Sequence, residues 1–363
     1  MKATRIRLWF RVCIVLLAAD SYLQAEDIKA TLTLTSPLSC QVFQRGKADR
    51  ADILIEGAIS DKADVIEAKA DLLPGAKRGT PVKWTAITPK GPVDQGKVSG
   101  RLGLTAGGWY QVTVRARVGT RIIAEQTLDK VGVGEVFVTA GQSNSANYGN
   151  PRQEAQDDQV VYFDGKGYVH AKDPIPGGCG DGGCPWALLG DRIAASQQVP
   201  VCFRSASLTW TEVKSWLPPD TELYKNLLAC VKVFGTGGVR AVLWHQGESD
   251  TLVKTSAVTY CDRITTIVET LSKDAGYEVP WFVAQASFHP GSQAPEQEWV
   301  AQGQQMLWAK KICGQGPVTD DLLGQEYRHD GVHFNQKGLA KHAERWFDAL
   351  SKAFKWKTYS SNK

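Results

Sequence analysis

The sequence has no apolar run long enough to cross a bilayer, which takes about 20 residues; its N-terminal apolar segment, Val12 to Ala19, is far shorter. It has little net charge. Residues 1–25 carry Lys2, Arg5, Arg7 and Arg11 against Asp20 and so hold +3 of the formal +4, which leaves about +1 for the rest. A nearly neutral chain has no electrostatic basis for binding nucleic acid or an anionic membrane. There is no internal repeat and no low-complexity tract. Histidines number only 6, and no second Cys or His pair at ligand spacing accompanies Cys179 and Cys184, so an ordinary zinc site is disfavoured.

What is present is a chain of 363 residues, 43% hydrophobic and 22% charged, long enough for two domains with sizeable cores. Tryptophan is abundant, with 12 copies, which serve either as core filling or as flat platforms for the apolar faces of sugars. The basic start, the short apolar stretch and Leu23-Gln24-Ala25 before Glu26 read as a secretion signal, so the expected location is secreted or periplasmic, with no membrane association after cleavage. In that compartment cysteines oxidise. The spacing Cys179-Gly180-Asp181-Gly182-Gly183-Cys184, flanked by more glycine, suggests a loop flexible enough to close a Cys179–Cys184 disulfide.

From residue 26 to about Val133 short alternating runs are separated by Gly and Pro turns; Trp109–Ala116 and Arg121–Gln126 around Val118-Gly119-Thr120 look like a hairpin. This pattern predicts a β-sandwich over residues 26–133. Beyond Gly134 strands alternate with helices. Strands are expected at Glu135–Ala140, Val199–Arg204, Val239–Trp244 and Trp281–Gln285, with helices near Asp191–Ser196, Thr221–Phe234, Ala257–Asp274, Glu296–Lys311 and Gln336–Lys355. Such alternation predicts an α/β domain, residues 134–363, with a mostly parallel sheet covered on both faces.

Three stretches at expected strand ends or helix starts carry chemistry. Val136–Ala140 stops at Gly141, and Ser143 follows between the amides Gln142 and Asn144. A serine just past a strand end stands where open α/β sheets bind ligands. Ala241–Trp244 runs into His245-Gln246-Gly247-Glu248-Ser249-Asp250, where Gln246 offers an amide N–H for an oxyanion. Here Glu248 reads as a loop tie, and His245 and Asp250 as structural. Asp330-Gly331-Val332-His333 precedes the last helix, with a carboxylate placed to orient an imidazole as general base. His329, Asp330 and His333 are the rival metal set, but no further ligand pair stands at sensible spacing. Together the three stretches supply the parts of acyl transfer.

These blocks, Gly141-Gln142-Ser143-Asn144, Trp244–Asp250 and Asp330–Phe334, resemble those of SGNH hydrolases, in the branch of sialate O-acetylesterase-like and acetylxylan-esterase-like carbohydrate esterases, over roughly Gly134 to Phe354. The resemblance implies a flavodoxin-like α/β/α sandwich after the β-sandwich, and ester hydrolysis without metal or cofactor. It implies Ser143 as nucleophile, His333 as base, Asp330 as its orienting acid and Gln246 as oxyanion donor. Where the branch has a Gly-Gly-Thr-like turn, this chain has Ser207-Leu208-Thr209-Trp210. A backbone N–H from Thr209 or Trp210 is expected to assist there, with Gln142 and Asn144 completing the oxyanion- and substrate-binding candidates. The expected activity is O-deacetylation of an acetylated carbohydrate. The alternatives are an esterase of non-sugar substrates and an inactive glycan-binding relative.

Overall fold

The computed structural model describes residues 30–88, 93–94, 96–357 and 359. The expected secretion signal, residues 1–25, lies outside the described residues. The N-terminal strands are β1 (Leu32–Ser36), β2 (Val42–Gln44), β3 (Arg50–Ile59), β4 (Val65–Leu72), β5 (Val82–Ala86), β6 (Gly96–Thr105) and β7 (Tyr110–Val118), followed by β8 (Arg121–Gly141). Sheet β1-β3-β6 faces the antiparallel set β5-β4-β7 and the first half of β8. Strand alternation builds the layer between them: Ile66, Ala68 and Ala70 of β4 meet Ile53 and Ile55 of β3 and Leu102 and Leu104 of β6, while Glu67, Lys69 and Asp71 turn the other way. This is the expected N-terminal β-sandwich.

Strand β8 is 21 residues long and runs straight through Val133. Its first half belongs to the sandwich; its second half is an inner strand of the next sheet. The glycines there permit close approach. A Cβ on Gly134 would stand 1.9 Å from the Pro200 carbonyl oxygen, so only glycine fits. One residue on, Glu135 is fully buried and accepts hydrogen bonds from Arg45 Nε (2.7 Å) on the sandwich side and Arg240 Nε (2.6 Å) on the other.

The remaining elements are β9 (Val160–Phe163), β10 (Tyr168–His170), α1 (Trp186–Gln197), β11 (Val201–Ser205), α2 (Glu222–Lys232), β12 (Ala241–His245), α3 (Glu248–Leu252), α4 (Ala257–Ala275), β13 (Trp281–Gln285), α5 (Ala294–Ala309), β14 (Gly314–Val318), α6 (Gly324–Tyr327) and α7 (Gln336–Phe354). They form the order β10-β9-β11-β8-β12-β13-β14, with parallel pairing throughout except for β10 against β9. Counted from β8, the order β11-β8-β12-β13-β14 is the 2-1-3-4-5 of a flavodoxin-like sheet. Alternate residues feed opposite faces. Val138, Val242 and Val283 pack with α2, α4 and α5, while Phe137, Leu243 and Phe282 pack with α1 and α7. Trp186, Trp216, Trp244 and Trp346 are fully buried, so much of the tryptophan content fills the core. No helix among the described residues is long and apolar enough to cross a membrane.

The Cys179–Cys184 disulfide is not formed, and all seven described cysteines are free. The glycines that suggested a flexible loop have another use. A Cβ would stand 2.4 Å from the Asn147 carbonyl oxygen at Gly180, and 2.4 Å from that of Gly149 at Gly182. The loop is pressed backbone to backbone onto the turn after β8. Cys184 is buried, and its thiol donates to Asp173 Oδ1 (2.9 Å); burial, then the Asp173 charge, push that thiol well up, which keeps the proton on sulfur.

Candidate active site

The switch point of the sheet lies between β8 and β12, where the chain departs to either side. Strand β8 ends there at Gly141, whose φ is +129° and where a Cβ would stand 2.0 Å from the His245 carbonyl oxygen. Glycine therefore lets the two strands stay paired to their ends. The Gln142 N–H donates to that same carbonyl (3.0 Å), and the chain enters a one-turn 3₁₀ helix, Ser143–Ser145. Ser143 is 4% exposed. Neither its N–H nor its Oγ has a hydrogen-bond partner among the described residues.

The loop before α7 turns at Gly331 (φ +85°). Asp330 Oδ1 accepts the N–H groups of Val332 (2.8 Å) and His333 (2.7 Å), and Oδ2 lies 2.7 Å from His333 Nδ1. Partial burial raises the Asp330 pKa, but these hydrogen bonds and the imidazole outweigh it and hold the carboxyl at about 2. An ionised carboxylate accepts only, so His333 Nδ1 carries a proton, and in the neutral ring Nε2 is the bare nitrogen. Asn144 ties this loop to the serine turn: its Nδ2 donates to Glu248 Oε1 (3.0 Å) and to the Val332 carbonyl (3.4 Å). The Tyr148 ring lies 5.1 Å from that of His333, and Asn150 N–H donates to the Phe334 carbonyl (3.0 Å). The structure thus brings the Ser143 and His333 turns together through their neighbours. No hydrogen bond joins Ser143 Oγ to the His333 ring among the described residues.

Two expected donors are otherwise engaged. Gln246 is fully buried, and its Nε2 donates to the Thr211 carbonyl (2.9 Å) and Asp250 Oδ2 (2.6 Å), leaving neither proton for an oxyanion. Tyr260 closes the group by donating to Gln246 Oε1 (3.0 Å). Asn144, with its Nδ2 on Glu248 and Val332, is likewise a brace. The adjacent amide is free instead. Gln142 Oε1 accepts Ser249 N–H (3.1 Å) and faces Gln246 Nε2 (3.3 Å), and the Gln142 Nε2 protons have no partner among the described residues.

In the turn after β11, Thr209 N–H donates to Cys179 Sγ (3.0 Å), whereas Trp210 N–H has no partner among the described residues. Trp210 has φ +55°, so the position does take the left-handed conformation that glycine adopts freely. Glu248 is a loop tie, as expected, on Asn144 and His245 Nε2 (3.3 Å). Burial raises its pKa, but His245 and Asn144 more than offset this and lower it.

His329, Asp330 and His333 set ligand atoms within 4.8 Å of one another. That donor set is partly committed: both Asp330 oxygens and His333 Nδ1 hold the loop, and His329 Nε2 pairs with the Tyr148 carbonyl (3.1 Å). Two ring nitrogens stay open, and a third ligand would have to come from Asp330 at the expense of the turn.

A family profile described as carbohydrate esterase, sialic acid-specific acetylesterase, abbreviated SASA, matches residues 133–352. The chain belongs to the SASA family. It is a carboxylic-ester hydrolase of SGNH type. No curated protein sequence matches it. Among solved structures it resembles a carbohydrate acetylesterase from Xanthomonas citri, at 19% identity over 88% of this chain and 74% of that one, with a TM-score of 0.58. It also resembles a protein from Arabidopsis thaliana, at 18% identity over 61% of this chain and 98% of that one, with a TM-score of 0.51. At these identities the likeness speaks for the fold alone. Around the site, Tyr148 and His289 escaped the sequence reading, and Cys179 figured in it only as a disulfide partner. They sit on loops whose spacing carries no periodic signal, and only the fold brings them to one rim.

Proposed function

We propose that this chain is a secreted or periplasmic carbohydrate O-acetylesterase with Ser143 as nucleophile. The observation that carries the reading is the Asp330–His333 pair with Nε2 left open, stitched to a serine turn whose Oγ and N–H have no partner among the described residues. The substrate class is supported by the family description and by the carbohydrate acetylesterase from Xanthomonas citri.

In this mechanism His333 Nε2 takes the Ser143 Oγ proton as Oγ attacks the acetyl carbonyl carbon. The oxyanion is met by Ser143 N–H, Gln142 Nε2 and Trp210 N–H. Collapse breaks the ester bond, and the leaving sugar oxygen takes the proton from His333. Water then attacks the acetyl-enzyme with His333 again as base, and acetate leaves. Acetate release from acetylated xylan, mannan and sialic acid tests the substrate class. Release from at least one, lost in Ser143→Ala, is expected. Hydrolysis confined to p-nitrophenyl acetate would indicate a non-sugar esterase, and binding without any hydrolysis an inactive relative.

The amide assignment has its own test. A fixed donor aimed at the developing oxyanion stabilises the transition state more than the ground state. Gln142→Ala is therefore expected to lower kcat by roughly 10²–10³ with little change in KM, together with some fall in Tm because the buried Ser249 N–H loses its acceptor. Gln246→Ala strips partners from the buried Thr211 carbonyl and Asp250, so its main effect is a fall in stability of about 1–3 kcal/mol. A normal kcat in Gln142→Ala would remove that residue from the oxyanion site.

A further inference from the structure

Trp210 stands out among the described tryptophans at 68% exposure; Trp299, at 40%, is next. Its backbone sits in the left-handed region at φ +55°, which costs a residue with a Cβ about 1–2 kcal/mol. The turn enforces this conformation from both sides. Thr209 N–H is held by Cys179 Sγ, Thr211 Oγ1 donates to the Leu208 carbonyl (2.9 Å), and Trp216 Nε1 donates to Thr211 Oγ1 (3.1 Å). Glycine would occupy the position without strain. A tryptophan there also packs little in return, because most of its ring faces solvent. Strain held at the rim of a site without a packing reason points to a ligand.

The placement says which ligand. Trp210 follows β11 and His289 follows β13, while β8 and β12, which lead to Ser143 and Gln246, run between them. The two rings nevertheless meet across that gap, with centroids 6.0 Å apart and planes 60° apart. They form an arch over the switch point, with Leu208 40% exposed beside it. The Thr209 hydroxyl and the Tyr148 phenol lie at the same rim. A broad aromatic face edged by hydroxyl and imidazole groups suits a pyranose, whose C–H groups face one way while its hydroxyls point around the edge.

We infer that Trp210, braced by His289, is the stacking platform for the sugar ring that bears the acetyl ester, and so a determinant of glycan specificity. The inference rests on the carbohydrate reading above. Its test compares kcat/KM on an acetylated xylo-oligosaccharide and on p-nitrophenyl acetate in the parent, Trp210→Ala, Trp210→Gly and Trp210→Phe. The ratio of glycan to small-ester activity is expected to fall about tenfold in the Ala and Gly variants, through a higher KM for the glycan, and to stay near the parent in Phe. Adding Trp210→Ala to Ser143→Ala is expected to weaken binding of the same oligosaccharide, read by calorimetry, by a similar factor. Trp210→Gly relieves the backbone, so its Tm is expected at or above the parent's, and a folding defect cannot imitate the result. If the parent deacetylates the glycan and the variants keep its ratio, the platform is refuted while the carbohydrate reading stands. If the parent cleaves p-nitrophenyl acetate but neither deacetylates nor binds acetylated xylan, mannan or sialic acid, both fall together.

Discussion

Replacing Ser143 or His333 by alanine is expected to lower kcat by a factor on the order of 10³ or more, and replacing both is expected to add little. Groups that act in one step lose their effect together, so strictly additive losses would show that the two serve separate functions. Asp330→Asn is expected to lower kcat by roughly 10²–10⁴, because the amide no longer holds the proton on Nδ1 and the bare nitrogen towards the serine. The pH dependence follows from the same geometry. The Asp330 carboxyl is held at about 2, below its unfolded value. Its contribution to stability is therefore complete above the ordinary carboxylate range, near pH 4, and is lost only as pH falls towards 2. Any loss of kcat/KM on acidification above pH 4 must come from another group. EDTA is expected to leave activity unchanged, since both Asp330 oxygens and one ring nitrogen each of His329 and His333 already hold the loop; abolition by EDTA would reverse that assignment.

Glu135→Ala is expected to be the most destabilising of the substitutions considered, by about 3–5 kcal/mol. Glu135 is fully buried, with one oxygen on Arg45 and the other within 2.6 Å of Arg240 Nε. The Arg45 side chain is only 7% exposed. Burial pulls its pKa down, yet Glu135 and Asp49 raise it on balance. Removing the carboxylate leaves two guanidinium groups facing each other with little water. Since Arg45 comes from the sandwich and Arg240 from the start of β12, the loss falls on the junction along β8. Turnover on p-nitrophenyl acetate well below the new Tm should survive, because Glu135 lies at the start of the second-sheet half of β8, at the other edge of that sheet from Ser143. An unchanged Tm would mean that solvent reaches the group and screens it.

Much of this arrangement was legible in the residues. Alternating runs before Val133 announced the sandwich, and apolar runs ending in Gly141 and in Gln246-Gly247 marked the switch point. Strand β14 was not legible, because Gly314-Gln315-Gly316-Pro317-Val318 has no strand-like composition. Its glycines fit for a local reason: a Cβ on Gly314 would stand 2.5 Å from the Phe282 ring. The continuity of β8 was hidden because the change of pattern near Val133 read as a domain boundary, whereas Gly132 and Gly134 sit within one strand and admit Pro200. In the site, both Gln142 and Gln246 were visible as amides, but which one keeps free protons depends on Thr211, Asp250 and Tyr260, and no spacing reveals them. The cysteine pair misled for a similar reason: its glycines serve contact with Asn147 and Gly149, not freedom to close a bond.

The central claim, that Ser143 is activated by His333, is tested most directly by covalent labelling with diethyl p-nitrophenyl phosphate. The attacking oxygen forms a P–O bond and expels p-nitrophenolate, so the site of attack is recorded on the chain. Peptide mapping is expected to place one diethylphosphoryl group on Ser143, with none in Ser143→Ala and labelling slowed on the order of 10³-fold in His333→Ala. A label on another residue, or equal labelling rates in the parent and His333→Ala, would contradict the account.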